Sequence, residues 1–441
     1  MQLKTAKELE HYLSDFDQFE KNGAAQEPSW LRQLRQSAIS RFVELGFPTI
    51  RHEEWKYTSV APIARSRFQP AASERNGLTA QTLAHVSLAE VARTQLVFVN
   101  GHYSQELSST RSLPEGVQVE SLATVLHVDP ARAEPHLAQY ANYQDHSFVA
   151  LNTAFMEDGA FVYVPKGIAV EVPIHLLFVS TALTVNGQPT VSHPRNLIVI
   201  DDDSQAMIVE SYLGGATGGY FTNAVSEILA GENTVLAHYK LEQESDAAFH
   251  IATTQAYLSR NCNFVSQALA LGGALVRNDV NAVLAGEGSE CTLDGLYMTT
   301  GQQHVDTHTR VDHVQPHCSS RELYKGILDG KSKGVFNGKI YVHKDAQKTD
   351  AKQANKNLLL SEDAVINTKP QLEIYADDVK CTHGSTIGQL DQDAIFYLRS
   401  RGIGPEAARG LLTYAFASEM ISRIKVEPLR ARLNTLLMTR L

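Results

Sequence analysis

A cysteine and a histidine lie two residues apart in the stretch DDVKCTHGSTIG, where Cys381 precedes His383. In an extended strand, residues two apart share one face, and their Cα atoms lie about 7 Å from each other. That distance is long for a thiol–imidazole catalytic pair, and no Asn or Asp stands nearby to orient the ring. It suits two ligands of one metal better, although a stable site usually has four ligands. A buried cysteine beside a surface histidine also fits, and the spacing alone favours this third interpretation.

A second candidate for metal chemistry is the stretch HVDTHTRVDH at residues 304–313. Strand alternation places Val305 and Val311 on one face. The opposite face then carries His304, Asp306, His308, Arg310 and Asp312. Two histidines and an aspartate in this pattern could bind a metal. A solvated sheet face with alternating charges explains the pattern as well, and the sequence favours it because an arginine is a poor neighbour for a cation.

Nucleotide binding and glycan cleavage are not predicted. The stretch DGKS (329–332) resembles the end of a P-loop, but that motif requires Gly at position 325, where Lys stands. No helical pattern follows to receive a phosphate. The adjacent carboxylates at 201–203 and 377–378 would point to alternating faces of a strand, so they do not converge as an acid–base pair.

The composition is that of an ordinary globular protein, with 441 residues, 43% hydrophobic, 20% charged and a formal net charge of -10. The negative charge argues against nucleic acid as the main partner. No apolar run is long enough for a membrane span, and the first residues lack a secretory signal, so a cytoplasmic protein is expected. The widely spaced cysteines form no C-x-x-C pair and predict neither a zinc ribbon nor a disulfide framework: Cys262, Cys291, Cys318 and Cys381.

The elements that must position these residues change in character along the chain. Residues 1–140 have helical and mixed patterns, and residues 391–441 are helical. Between them, residues 141–390 contain short apolar-alternating runs that begin every 12–16 residues, separated by Gly, Asn, Asp and Ser. So many strands without an intervening helix predict a parallel β-solenoid. A multi-strand sandwich or jelly roll is the alternative.

The C-terminal region predicts two amphipathic helices. Gly404 suits the N-cap of the first, with Pro405 at its first position and Glu406 in its first turn. Its apolar residues form one predicted stripe: Leu411, Leu412, Ala415, Phe416, Met420 and Ile424. A second helix follows Pro428. These helices could cap the open end of the solenoid or bind a partner, and the pattern leaves both roles open.

Several stretches resemble the SufB/SufD family of iron–sulfur cluster assembly proteins. The resemblance is collinear over nearly the whole chain, and Gly384 follows the Cys-x-His pair where SufB chains carry Glu, so the chain is similar to the SufD branch. The stretches are HEEWKYTS (52–59), SSRELYKGILDGKSKGVFNGKIYV (319–342), QKTDAKQANKNLLLSEDAVINTKPQLEI (347–374) and DDVKCTHGSTIGQLDQDAIFYLRSRGI (377–403).

The resemblance implies a mainly β fold, with a right-handed parallel β-helix between N-terminal and C-terminal helical domains. It implies a non-catalytic scaffold that pairs with SufB through the β-helix edges, works in a SufBCD complex and promotes iron acquisition. No cofactor would be tightly bound, and a transient iron–sulfur cluster would be shared with SufB. Cys381 and His383 match the family positions near that interface, and they are the expected ligands of the nascent cluster.

The resemblance also implies that SufC, an ABC-type ATPase, docks on the C-terminal helices. The expected contact residues are Pro405, Glu406, Leu411, Leu412 and Phe416. The isolated chain could form a homodimer instead, because an exposed solenoid edge can pair with itself. Two other functions stay open at this point: a β-helix carbohydrate-active enzyme, and a self-contained metalloprotein that uses the face from His304 to Asp312.

Overall fold

The computed structural model describes residues 2–23, 27–74, 77–84, 92, 94–110, 113–181, 184–215 and 218–440. Its α-helices are α1 (Gln2–Gly23), α2 (Ser29–Leu45), α3 (Ala61–Arg65), α4 (Ala80–Leu83), α5 (Leu122–Val128), α6 (Ser147–Phe155), α7 (Gln392–Ser400), α8 (Pro405–Ser422) and α9 (Glu427–Arg440). Short 3₁₀ turns lie at Glu53–Trp55 and Pro130–Arg132. None of these helices combines the length and the apolar character that a membrane crossing requires.

The strands of the first part of the chain are β1 (Gln69–Pro70), β2 (Thr94–Val99), β3 (His102–Tyr103), β4 (Ser109–Thr110), β5 (Gln118–Ser121), β6 (Ala160–Val164), β7 (Ile174–Ser180), β8 (Thr184–Val185), β9 (Gln188–Ser192) and β10 (Arg195–Ile200). The long strands that follow are β11 (Gln205–Gly214), β12 (Phe221–Ala230), β13 (Val235–Gln243), β14 (Phe249–Leu258), β15 (Asn263–Ala270), β16 (Leu275–Leu284), β17 (Glu290–Thr299), β18 (His304–His313), β19 (Ser319–Leu328), β20 (Lys333–Val342), β21 (Asp350–Leu359), β22 (Val365–Ile374) and β23 (Lys380–Gly388).

Successive long strands alternate between two parallel sheets. The even-numbered strands β10 to β22 pair in order in the first sheet, and the odd-numbered strands β11 to β23 pair in order in the second sheet. The chain therefore winds as a solenoid of about seven turns, and the predicted mainly β solenoid is confirmed. A sandwich of antiparallel sheets is excluded. The right-handed sense stays a prediction, which agrees with the usual hand of crossovers between parallel strands.

The pairing register sets the length of one coil. Phe249 pairs with Leu275, 26 residues later, and Lys333 pairs with Val365, 32 residues later. Each coil contains two strands, so the mean spacing between strands is 13 to 16 residues. This agrees with the spacing read from the sequence. Register partners in parallel strands point to the same side of the sheet. The inward-facing side chains of successive coils therefore stack in columns along the solenoid axis.

Strands from before residue 140 extend the solenoid at its N-terminal end. Strand β2 pairs with β7, and β5 pairs with β6. The helix α6 lies within the segment that the sequence assigned to the solenoid core. A division of the chain at residue 140 therefore stays a prediction. The helices α1, α2 and α6 pack with aromatic side chains such as Phe42 and Phe148 against the outer side of the first sheet.

The C-terminal helices cover the outer face of the second sheet. Their apolar side chains, including Met420 and Leu433, pack against outward residues of the sheet such as Leu269 and Leu296. Gly404 is the N-cap of α8 and Pro405 its first residue, as predicted. The helices cover the middle of the sheet face and leave the last coil exposed. The structure therefore does not support their role as a cap over the solenoid end.

Candidate functional site

The strands β22 and β23 form the last coil of the solenoid, which we call the terminal coil (residues 365–388). Each is the last strand of its sheet, so within the described residues one edge of each strand has no neighbouring strand. All of β23 is exposed except for Cys381, which is half-buried. Unpaired strand edges of this kind can pair with another chain.

Cys381 and His383 point into the interior of the terminal coil. The hydroxyl of Ser385 donates a hydrogen bond to the hydroxyl of Thr368 on the opposite sheet, with 3.0 Å between the two oxygens. That contact crosses the interior, so Ser385 points inward. Cys381 and His383 lie four and two residues before Ser385 on the same strand, and strand alternation places them on the same side. The prediction that the two residues share one face is therefore confirmed.

The two side chains differ in their surroundings. Cys381 packs at the edge of an apolar cluster that includes Ile340, Val342 and Ala351. Burial raises the pKa of its thiol above the usual value, and the backbone amide of Ala351 only partly offsets this. The thiol is therefore not activated as a nucleophile in the free chain. His383 is exposed at the open end.

The described part of the chain contains no group of three or more His, Cys, Asp or Glu side chains placed to hold a metal ion. Cys381 and His383 thus form at most half of a metal site. The other three cysteines do not complete it, because Cys262, Cys291 and Cys318 are buried within the solenoid core.

Two buried polar side chains lie behind His383 in the interior. Gln353 on β21 is the register partner of His383, and Glu322 on β19 is the register partner of Gln353. The amide nitrogen of Gln353 donates to Glu322 Oε2 at 3.2 Å, and Thr309 Oγ1 donates to the same oxygen at 2.7 Å. Burial raises the pKa of Glu322 to about 7. A polar path therefore leads from His383 into the solenoid interior.

The face from His304 to Asp312 is not the solvated face that the sequence favoured. The alternation is as predicted, but Asp306 is 1% exposed. It lies beneath the segment Glu53–Thr58, which we call the N-terminal strap. Thr58 Oγ1 donates to Asp306 Oδ2 at 2.6 Å, and Arg277 Nη1 donates to the same oxygen at 2.9 Å. These contacts use the carboxylate, so the structure does not support a self-contained metal site here.

The other sequence candidates have structural roles in turns. The stretch DGKS lies in the turn between β19 and β20, and a strand follows it where a P-loop would have a helix. In the turn after β10, Asp201 accepts a hydrogen bond from the hydroxyl of Tyr163, and Asp202 pairs with Lys166. Asp378 pairs with Lys348. These carboxylates take part in turn contacts, and the structure does not support an acid–base pair for glycan cleavage among them.

The predicted ATPase-contact residues divide into two groups. Pro405, Glu406 and Leu411 are exposed, and the Leu411 side chain is 46% accessible. Leu412 and Phe416 instead pack toward the second sheet, and the ammonium group of Lys325 lies 4.4 Å from the centre of the Phe416 ring. The predicted stripe is therefore partly wrong. The buried stripe runs through Thr413, Ala417, Met420 and Ile421, and Ile424 follows the end of α8.

Sequence reasoning missed an exposed aromatic pair on α7. Phe396 is 72% exposed and Tyr397 is 57% exposed. The only buried residue of this helix is Ile395. The signal was present, because three large apolar residues in a row on a short surface helix cannot all face the core. Exposed aromatic pairs are typical of contact surfaces.

Two family models match consecutive parts of the chain. The family described as "SufBD protein N-terminal region" matches residues 6–176. The family described as "SUF system FeS cluster assembly, SufBD core domain" matches residues 183–416. The second match alone covers more than half of the chain and includes the terminal coil.

Curated relatives cover almost the full length. The chain is 36% identical over 419 residues to the iron–sulfur cluster assembly SufBD family protein slr0076 of Synechocystis sp., which covers 92% of this chain and 90% of that protein. It is 33% identical over 412 residues to the iron–sulfur cluster assembly protein SufD of Escherichia coli, with 93% and 92% covered. The protein of the same name from Bacillus subtilis is 26% identical over 417 residues, with 92% and 93% covered. The chain therefore belongs to the SufBD family of iron–sulfur cluster assembly proteins.

Proposed function

We propose that this chain is the SufD-type scaffold subunit of a SufBCD complex, and that it provides half of the site where a new iron–sulfur cluster forms. The observation that carries the proposal is the inward-facing pair of Cys381 and His383 at an open solenoid end. A thiolate and an imidazole are both ligands for iron. Two ligands at an exposed edge are what one subunit of a shared site would contribute.

The remaining ligands come from SufB in this proposal. The free edges of β22 and β23 offer rows of unpaired backbone groups to a second solenoid. Exposed apolar side chains flank these edges, with Ile387 at 52%, Tyr375 at 58% and Val365 at 46% accessibility. Pairing would bury these side chains and bring the partner's ligands over the interior of the terminal coil. The cluster is then cargo that is built and passed on, not a resident cofactor.

The C-terminal helices dock the SufC ATPase in this proposal. The exposed residues available for docking are Pro405, Glu406 and Leu411 at the start of α8, together with Phe396 and Tyr397 on α7. Leu412 and Phe416 support this surface from below, because they fix α8 to the sheet. Hydrolysis of ATP would thus occur in the partner, and the chain itself acts as a scaffold without catalysis. Its four free thiols suit the reducing cytoplasm.

The ligand role is tested by anaerobic cluster reconstitution on this chain co-expressed with SufB and SufC. We expect His383→Ala to leave the complex intact in size-exclusion chromatography while cluster absorbance and bound iron fall several-fold. Cys381→Ala is tested in parallel. The matched control is His127→Ala, which removes an exposed histidine on α5. Unchanged cluster formation and iron content in His383→Ala would overturn the ligand role, and loss of the complex would assign the residue to assembly instead.

The docking surface is tested by measuring SufC binding to the purified chain. We expect Phe396→Ala and Leu411→Ala to weaken the Kd by about tenfold each, as removal of an anchor residue does at a protein interface. Neither change should lower the melting temperature, because both side chains are exposed. Val128→Ala, which truncates a 73% exposed side chain on α5, is the control. Equal affinity for all four proteins would place the ATPase elsewhere.

A further inference from the structure

The amide of Gln353 is a buried polar group whose hydrogen-bonding capacity is only partly used. The side chain is 3% exposed, and its Oε1 atom has no hydrogen-bond partner among the residues that the structure describes. A buried acceptor without a donor is costly, so a donor is expected to reach it. Gln353 lies one strand behind the exposed edge, so few side chains can do so.

One hydrogen bond and one space left by a glycine define the position of this amide. Its nitrogen donates to Glu322 Oε2 at 3.2 Å, which places the NH₂ group toward the solenoid interior. Across the interior, Gly338 leaves the space that the amide occupies, because a Cβ atom at this position would lie 2.2 Å from Gln353 Nε2. The amide oxygen is thereby directed away from Glu322 and is available to the next strand.

The next strand offers one suitable donor. The inward residues of β23 nearest to Gln353 are Cys381, His383 and Ser385, and His383 is its register partner. The hydroxyl of Ser385 already donates to Thr368. Cys381 packs in an apolar cluster, and a thiol is a weak donor. A neutral imidazole always carries one N–H group, and adjacent strands lie about 4.8 Å apart, within reach of these two long side chains.

We propose that Gln353 Oε1 accepts a hydrogen bond from a ring N–H of His383 and thereby selects the imidazole tautomer. The other ring nitrogen then keeps its lone pair and faces the open end of the solenoid. Gln353 is a positioning residue, and Glu322 holds its amide in the required orientation. This inference rests on the proposed function of His383 as a ligand. Ligand histidines commonly donate their second N–H to such an acceptor, which fixes both ring orientation and tautomer.

The test reads the tautomer directly on the isolated full chain, without partners or metal. The chain is labelled with ¹⁵N-histidine, and long-range ¹H–¹⁵N correlation spectra are recorded at pH 8.5, where a free imidazole is neutral. The His383 signals are identified by their loss in His383→Gln. We expect wild type to show one predominant tautomer, with one protonated and one unprotonated ring nitrogen shift.

Two variants separate the proposed contact from general packing. Gln353→Met keeps the length of the side chain and removes its polar atoms, so the His383 nitrogen shifts should move toward the averaged values of an exposed imidazole. Glu322→Gln keeps an acceptor for the Gln353 NH₂ group, so the wild-type tautomer should persist. Averaged shifts in wild type, or identical His383 shifts in wild type and Gln353→Met, would overturn the proposal.

The outcome is separable from that of cluster assembly. If His383→Ala assembled clusters normally while wild type showed a single tautomer, the ligand role would fail and the Gln353–His383 contact would stand. If His383 proved essential and its tautomer were averaged, the ligand role would stand and the positioning role would fail. If both hold, Gln353→Met in the complex should slow cluster formation by about tenfold, the usual effect of removing such a supporting contact.

Discussion

Glu322 combines full burial with a carboxyl group that has no ionic partner among the contacts described. Its hydrogen bonds come from neutral groups, the hydroxyl of Thr309 and the amide of Gln353. Burial therefore outweighs these bonds, and the pKa rises from 4.5 to about 7. Buried Glu210 behaves in the opposite way, because His238 and Lys240 lie beside it, and its pKa falls to about 2. Both carboxyls are buried, so the charged neighbours of Glu210 account for the opposite directions of the two pKa shifts.

The raised pKa of Glu322 predicts a pH-dependent stability. Between about pH 4.5 and 7 the folded state binds a proton at this residue that the unfolded chain has lost. The stabilisation is therefore complete below the unfolded pKa and is lost as the pH rises through about 7. We expect Glu322→Gln to gain stability relative to wild type as the pH rises from 5 to 8, by up to about 3 kcal/mol.

Urea unfolding at a series of pH values measures this difference. Glu287→Gln changes an exposed carboxyl on a nearby turn and should follow wild type at every pH. Parallel curves for wild type and Glu322→Gln would mean that Glu322 stays ionised in the folded state.

At the scale of elements, a repeated corner explains how the coils stack. The corner before each of the strands β11, β13, β15, β17, β19 and β21 of the second sheet has one residue in the left-handed region, with φ between 54° and 73°, followed by a small residue. The pairs are Asp203–Ser204, Asn233–Thr234, Asn261–Cys262, Gly288–Ser289, His317–Cys318 and Lys348–Thr349. The small side chain bonds to the corner backbone, as Thr349 does to the carbonyl of Ala346. At two of these corners a cysteine, Cys262 or Cys318, stands where the other corners have Ser or Thr.

The sequence predicts the solenoid but does not predict this repeat. The strand count predicted the solenoid, because alternation and turn residues are local signals. The repeat itself was missed, since His317 and Lys348 occupy left-handed positions that usually belong to Gly, Asn or Asp. The burial of Asp306 could not be predicted either, because the N-terminal strap that covers it lies about 250 residues earlier in the chain. Long-range docking leaves no local pattern.

The strap predicts a specific loss when one hydroxyl is removed. Thr58 Oγ1 donates to Asp306 and therefore accepts its contact with His304 Nε2, at 2.9 Å. Thr58→Val keeps the shape and removes both bonds, so we expect a loss of about 1–3 kcal/mol. Hydrogen exchange should accelerate in residues 53–58. Ser59→Ala, at an exposed neighbour, should change neither quantity, and equal exchange in both variants would show that the strap is held by other contacts.

The helix α8 is fixed to the second sheet by a buried lysine. Lys325 is 4% exposed, and its ammonium donates to the carbonyl of Phe416 at 2.8 Å and pairs with Glu419 at 2.5 Å. Lys325→Met keeps the apolar stem and removes these contacts, at a cost of about 2 kcal/mol. We expect exchange in residues 405–422 to accelerate roughly 30-fold, while the solenoid is unchanged.

The exposed Lys352→Met on β21 is the control for this change. Uniform acceleration along the whole chain in Lys325→Met would mean that α8 and the solenoid open as one unit.

On the scale of the whole molecule, one strand contacts the supports of both proposed sites. In β19, Lys325 points outward to α8, and Glu322 points inward to Gln353. A force on the docked helices would reach β19, which is separated from β23 of the terminal coil by one strand, β21. Half of the candidate cluster site can be predicted from the sequence, because strand alternation places Cys381 and His383 on one face. In the proposed function the other half lies on a partner chain, so no pattern in this sequence can predict it.

The open end predicts self-association when no partner is present. Within the part of the chain that the structure describes, both terminal strands have a free edge, and Ile387 on β23 is 52% exposed. We expect the isolated chain to sediment as a concentration-dependent dimer and to exchange into a one-to-one complex when SufB is added, because both partners would use the same edge.

A charge on an edge strand opposes pairing. Ile387→Lys should therefore shift the dimer to monomer and weaken SufB binding, whereas Ile50→Lys, at a 58% exposed residue of the N-terminal region, should do neither. A dimer that persists in Ile387→Lys would place self-association on another surface, and a wild-type chain that stays monomeric at every concentration would show that the terminal edges do not pair with themselves.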